Sequence, residues 1–453
     1  MRSHILILVL TGMLLLSAGC GSSDGFGTGT VIRMTGSDVE VEGAGAEADR
    51  GVITLRSGGR YIFTGTLDQG QIRIETGDEP TELVLQDASI SNASGAVLLA
   101  RESGDVTIIL ADESNNTITS GNVNDVPKEG GRSAAVDADA ALSLGGDGAL
   151  TVSSYGGSGI RTGGDLTLAS GALTVHAAEH GLWSDANMIF LGGALFLTAE
   201  GDGLRSDGSM AISGGSFILT AVDDAIRAGT ALTVQDGVVR IDDCAKGLCG
   251  AAVTIDGGVL QVSARDDGIS ADGGTDAGET AQLRISGGII QLISGGNGLC
   301  TAGDLCIEGG ELFISVPNHA RVIDRNWSGE GICVVNGGTL VATGGAGETF
   351  CEDRSDQMIL THVFRAPVRA GSTLSLCDEQ GNVLLTDAIA QPCSRVVVSA
   401  PLLQPGETYQ LSADGQNDTV TLIRPEDESP ENGAEEEDGT PENAEQEMPE
   451  EAA

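Results

Sequence analysis

Between its turns the chain alternates apolar and polar residues with a period of two. The runs Ala194-Leu195-Phe196-Leu197-Thr198-Ala199, Ser216-Phe217-Ile218-Leu219-Thr220-Ala221 and Val259-Leu260-Gln261-Val262-Ser263 show it most clearly. Successive side chains of a strand point to opposite faces, so each run predicts a short strand with one face buried. A turn dipeptide punctuates the runs at Ser170-Gly171, Gly192-Gly193, Gly214-Gly215, Asp236-Gly237, Gly257-Gly258, Gly287-Gly288, Gly309-Gly310 and Gly337-Gly338. The steps between them are 22, 22, 22 and 21 residues, then 30, 22 and 28. A second signature keeps similar spacing: Gly159-Ile160, Gly181-Leu182, Gly203-Leu204, Ala225-Ile226, Gly247-Leu248, Gly268-Ile269 and Gly298-Leu299. The longer steps hold insertions, such as Asp272 to Thr280, expected to protrude as loops from one face.

A unit of about 22 residues with two or three short strands predicts one coil of a parallel β-helix, stacked on its neighbours at about 4.8 Å. No coil can bury its apolar face alone. Leucine-rich repeats share this length range but need a Leu-x-x-Leu-x-Leu framework, which is not evident. Gly145-Gly146-Asp147-Gly148 superficially fits a calcium-binding nonapeptide, but the nine-residue period is missing. The predicted fold class is therefore all-β, a parallel β-helix over residues 31–354. Gly59 to Leu67 and Thr81 to Ile90 read as irregular strands that cap its open end. From about Ser355 to Arg424 the period stops, and Arg395-Val396-Val397-Val398 with turns at Gln380-Gly381-Asn382 and Pro405-Gly406 predicts a small antiparallel β module over 355–424.

Composition supports this picture. The chain has 453 residues, 68 of them Gly, and only 3% are aromatic, so the core must be built from Val, Ile, Leu and Ala. Interior Gly costs a helix roughly 1 kcal/mol each, which argues against helical structure. The formal charge of −43 argues against a phosphate-neutralising nucleic-acid surface. The segment 425–453 carries 13 of the 66 acidic residues and no basic one, and is expected to be a disordered, solvated tail. At the other end, Arg2 and His4 precede an apolar run from Ile5 to Leu16, and Ser17-Ala18-Gly19 leads to Cys20. Residues 1–20 read as a lipoprotein signal with Cys20 acylated, followed by a linker over 21–30. That places the mature protein on the outer face of the membrane, lipid-anchored. Eight cysteines follow Cys20; an even number in an exported chain permits four disulfides, Cys377 with Cys393 foremost. No CxxC spacing suggests zinc.

The ordered set Gly59-Arg60-Tyr61-Ile62-Phe63-Thr64-Gly65-Thr66-Leu67, Gly70-Gln71-Ile72, Ser114-Asn115-Asn116-Thr117-Ile118, the Gly-Gly coils and Gly406-Glu407-Thr408-Tyr409 resembles a bacterial family. It is the family of carbohydrate-binding domain-containing proteins, typified by a clostridial cellulose- and polygalacturonate-binding β-helix. The resemblance runs from about Val31 to Leu422. It implies a right-handed helix similar to polysaccharide lyases, bound Ca²⁺, surface location and glycan binding without demonstrated cleavage.

Stacking equivalent residues turns the sequence into columns. The residue before each Gly-Ile pair gives Ser158, His180, Asp202, Asp224, Lys246, Asp267 and Asn297, with Asp223 and Asp266 one place earlier. Stacked like charges repel unless compensated. Ca²⁺, which takes six to eight oxygen ligands, would compensate, making Asp202, Asp223, Asp224, Asp266 and Asp267 candidate metal ligands. The bland alternative is a solvated turn. The residue after each pair gives Arg161, Trp183, Arg205 and Arg227, then Cys249, Ser270 and Cys300. If this column faces outward, its Arg forks match carboxylates and its indole offers a stacking face, a candidate site for an acidic plant glycan or cellulose. Alternatively the arginines pair with Asp185 and Asp207, and Trp183 covers a coil edge. His176, His180, His319 and His362 are scattered, and no catalytic constellation stands out. The leading expectation is a non-catalytic, Ca²⁺-stabilised polysaccharide-binding lipoprotein. Its rivals are a Ca²⁺-dependent polysaccharide lyase, with Arg205 or Arg227 beside Asp202 and Asp224 as its candidates, and a structural surface adhesin.

Overall fold

The structure, a computed structural model, describes residues 29–121, 133–273, 281–325, 331–345, 350 and 354–424. The expected signal with Cys20, the acidic tail and residues 274–280 of the insertion lie outside the described residues.

Each regular coil contributes three strands. Leu182–Ser184, Met188–Phe190 and Ala194–Ala199 form one coil, and Leu204–Ser206, Met210–Ile212 and Ser216–Ala221 form the next. Equivalent strands pair in parallel and in register: Leu182↔Leu204, Met188↔Met210, Leu195↔Phe217. Among the described residues one ladder forms a 13-stranded sheet, and the other two join into a 26-stranded sheet. No α-helix occurs among them. The β-helix is thus confirmed.

The period of two explains the interior. Leu195, Leu197 and Ala199 face inward, and so do Phe217, Leu219 and Ala221, all at most 2% exposed. Burying each large apolar side chain is worth roughly 1.5–3 kcal/mol, and one core runs the length of the stack. Phe190 meets Phe217 edge-to-face at 5.2 Å. The second glycine of the turn dipeptide has positive φ, for example 102° at Gly215 and 106° at Gly237, which L side chains rarely adopt. The glycine before Ile or Leu has a different reason. A Cβ at Gly181 would lie 2.4 Å from Leu197 Cδ1, inside the core.

Two expectations are corrected. Gly59–Leu67 and Thr81–Asn92 pair with one another in parallel and belong to the stack itself. The amino-terminal end is instead covered by antiparallel pairs, Thr30–Gly36 with Asp38–Glu42 and Ala46–Asp49 with Val52–Leu55. Cys377 and Cys393 are not bridged; they carry free thiols, as do Cys244, Cys249, Cys300 and Cys306.

The carboxy-terminal module is as expected. Thr373–Cys377, Val383–Ala388, Thr408–Ala413 and Gln416–Thr421 form a four-stranded antiparallel sheet. Cys393–Ser399 joins it to the helix by pairing antiparallel with Thr339–Gly344.

Candidate functional site

Both columns read from the sequence exist, and they stand side by side. The strand column is in register through Arg161↔Trp183, Trp183↔Arg205, Arg205↔Arg227 and Arg227↔Cys249. The turn column lies three residues earlier in each coil. Its members are linked through side chain and backbone. The Asp202 N–H donates to His180 Nδ1 at 3.0 Å, and the Asp224 N–H donates to Asp202 Oδ1 at 3.2 Å. Further along, the Asn297 N–H donates to Asp267 Oδ1 at 2.9 Å, and the Arg321 N–H to Asn297 Oδ1 at 2.9 Å. Each acceptor side chain therefore satisfies a backbone donor of the next coil, which compensates much of the stacking of carboxylates.

The five candidate calcium ligands do not converge on one point. Among the described residues no group of three or more His, Cys, Asp or Glu side chains could hold a metal ion. Three of the five have other partners. Asp202 Oδ2 faces Arg205 Nη1 at 3.5 Å, and Asp224 Oδ2 faces Arg227 Nη1 at 3.4 Å. Asp267, two coils beyond Asp224, faces Lys246 at 3.8 Å. Among the described residues these carboxylates are spread along the column rather than gathered into one set.

The strand column is less open than its phase suggested. Arg161 is bound between Asp137 at 2.9 Å and Asp185 at 2.5 Å, with its side chain only 11% exposed. Burial works to lower the Arg161 pKa, but Asp137 and Asp185 outweigh it and hold the guanidinium above its usual value. Trp183 is 8% exposed. Arg205 lies 5.0 Å from its ring centroid, Arg161 5.9 Å, and the His180 ring meets its edge at 5.2 Å. The indole face expected to receive a sugar ring is thus occupied by the protein's own cations. Pairing of Arg161 with Asp185 and of Arg205 with Asp207, at 3.4 Å, follows the alternative reading.

Exposure rises along the column from Arg161 to Arg205 at 32% and Arg227 at 54%. There the two columns border an open groove of about 600 Å³, walled by Asp202, Asp224, Arg205, Arg227, Lys246 and Asp272. Its electrostatics are mixed. Burial, then the neighbouring Asp202 charge, raises the Asp224 carboxyl above the usual range, while Arg227 and Lys246 oppose the rise. Burial lowers the His180 pKa, helped by Arg205 and opposed by Asp202. Lys246 loses some of its proton affinity to burial, but Asp272 and its neighbours raise it overall. Burial also lifts the Cys249 thiol well above its ordinary value, so it is not poised as a nucleophile.

Sequence reasoning missed three members of this arrangement as site residues: Asp137, Lys246 and Asp272. Asp137 pairs in register with Arg161, but its coil carries Ala135-Val136 where the others have Gly-Ile, so the repeat was not followed back that far. Lys246 stood in the turn column as an exception to the carboxylates. Asp272 was read only as the start of an insertion.

The fold and this corner define a parallel β-solenoid with a charged external groove. Comparison with known proteins then narrows the class: residues 49–249 match the model of a family described as carbohydrate-binding domain-containing protein. A relative from Acetivibrio thermocellus with that same description is 30% identical over 128 residues, which are 28% of this chain and 45% of the relative. The match thus spans less than half of that relative's length. The resemblance read from the residues is found again, over a shorter stretch than the residues themselves suggested. A solved structure titled as a polysaccharide lyase-like protein from C. thermocellum, in a gadolinium derivative, covers 56% of this chain and 99% of its own. It has 25% sequence identity and a TM-score of 0.46.

Proposed function

We propose that this chain binds polysaccharide at the cell surface, and that the groove beside Arg205 and Arg227 receives a uronate-bearing chain. One observation carries the reading: three cations, Arg205, Arg227 and Lys246, line one open groove on a protein of net charge −43. Asp202, Asp223, Asp224 and Asp272 line the same groove, so an acidic polymer is held where its carboxylates take the place of these at the guanidinium forks. The ion pairs of Arg205 to Asp202 and Arg227 to Asp224 are long, at 3.5 and 3.4 Å, so an incoming carboxylate competes on favourable terms. The family description of residues 49–249 supports a sugar polymer as the partner.

The proposed role is binding without cleavage. Arg205 and Arg227 present planar guanidinium forks to the groove, a geometry that suits holding a carboxylate. A lipid on Cys20 would tether the protein to the outer face of the membrane. Calcium bound at this groove would draw on glycan, backbone or water oxygens as well, since no three acidic side chains gather there among the described residues.

Retention on polygalacturonate tests the reading. The wild type should be retained, increasingly weakly as salt screens exposed charge over about 8 Å. Arg205→Ala with Arg227→Ala should reduce retention at least about tenfold, as loss of two charge-assisted contacts implies. Unchanged retention would overturn the groove as the site. Accumulation of unsaturated uronate product would instead make the protein a lyase.

A further inference from the structure

We infer that the outer face of the longest strand ladder is a second glycan contact, for a neutral chain lying flat and independent of the charged groove. The inference rests on the polysaccharide-binding reading and adds a different surface to it. Five successive in-register strands form the face: Asn115–Ser120, Ala149–Ser154, Ala172–Ala177, Ala194–Ala199 and Ser216–Ala221. Each presents three outward positions, and none of these fifteen holds Asp, Glu, Lys or Arg. In a chain with 20% charged residues about three would be expected, so the face is an uncharged island on a strongly acidic molecule.

Its centre is apolar. Phe196 is 47% exposed and Ile218 36%, on neighbouring strands and paired in register, and the His176 ring lies 6.3 Å from Phe196. Thr198 and Thr220 flank them with hydroxyls, and Tyr155, 68% exposed, stands just past the end of Ala149–Ser154. An aromatic ring edged by hydroxyl groups on a flat surface suits the apolar face of a pyranose ring, with its rim of hydroxyls. A protein interface centres on a core enriched in aromatic residues, Met and Arg, which two large side chains among Thr, Ser and Ala do not provide. A second copy of this chain is opposed by the net charge of −43 on each. Four of the five strands and the fifth, Asn115–Ser120, all fall within the span that matches the carbohydrate-binding family. With Trp183 covered, this face offers an aromatic ring that a neutral chain can reach.

The test uses retention of the full chain on insoluble cellulose and, separately, on polygalacturonate. The wild type should be retained on cellulose equally at low and high salt. Phe196→Ala with Ile218→Thr should lose about tenfold on cellulose, as expected from the apolar area given up, and keep its polygalacturonate retention. Both side chains are half-exposed, so an unchanged melting temperature verifies the fold, and Phe196→Tyr, which keeps a ring, should retain cellulose. Cellulose retention unchanged in the double variant would overturn the inference. So would a wild type held by polygalacturonate but not by cellulose, and that result leaves the groove reading standing. A change from dimer to monomer in the double variant, without loss of cellulose retention, would assign the face to self-association instead.

Discussion

His180 Nδ1 accepts the backbone N–H of Asp202 at 3.0 Å, so the imidazole must keep a lone pair on that nitrogen. Burial, with Arg205 adding to it, lowers the folded-state pKa against the pull of Asp202, Glu179 and Asp223. The unfolded chain therefore takes up the proton first. The stability contributed by neutral His180 is complete above its ordinary value of 6.5 and is lost as pH falls through the lowered folded value. The melting temperature should decline in that window, and His180→Asn, which keeps an acceptor but cannot titrate, should flatten the decline. An equal decline in both proteins would place the effect elsewhere.

Asp137 is the counter-ion on which Arg161 depends. Its side chain is 6% exposed and also pairs with Arg101 at 2.7 Å. Asp137→Ala leaves a buried guanidinium undercompensated and should cost about 3–5 kcal/mol in urea unfolding. Arg227→Ala removes a half-exposed partner of Asp224 and should cost at most about 1 kcal/mol. Comparable losses in the two variants would contradict the burial argument.

The turn glycines should be intolerant of a side chain. At Gly338 φ is 80°, and a Cβ would stand 2.6 Å from the Gly310 carbonyl oxygen. Gly338→Ala should cost more than about 1 kcal/mol, from strain and from that contact together. Gly371 also has positive φ, 81°, but nothing lies within 4 Å of its Cβ direction, so Gly371→Ala should be milder. Thermal melts of both variants decide this.

Calcium alone should shift the melting temperature little, because no three acidic side chains among the described residues form a metal set. Removal of metal by chelator should likewise leave it unchanged. Adding calcium together with oligogalacturonate should raise it, by binding the folded state preferentially. A large rise with calcium alone would mean that a site exists outside the described residues or forms on binding.

The repeat was legible because each coil restates the same steric demands. Gly193, Gly215 and Gly237 recur where φ must be positive, and Leu195 and Phe217 recur where a side chain must point inward. The columns followed from that period, and the residues assigned to them stand in register, although Asp137 was left out. What they face was not legible. The phase of Trp183 set it on the outer side of its strand, but the partners that cover it, Arg161 and Arg205, come from the coils on either side. The role of Asp137 was hidden because its coil lacks the Gly-Ile mark, and Gly59–Leu67 was taken for a cap because its nine-residue strand breaks the short alternating rhythm. Cysteine count could not substitute for geometry: Cys377 and Cys393 lie on separate strands without bridging.

The two closed ends of the stack have a consequence for how the protein exists in bulk. In-register parallel strands repeating at about 4.8 Å are also the building plan of amyloid, and an uncovered terminal coil would template growth from either end. Here the first strand is turned back by Asp38–Glu42, which carries Asp38, Glu40 and Glu42 along its exposed side, and the last ladder ends on a strand running the opposite way. The hairpin and the terminal module thus act as stoppers on a polymerisable rod. They allow a β-helix to be this long and this regular while remaining a discrete molecule.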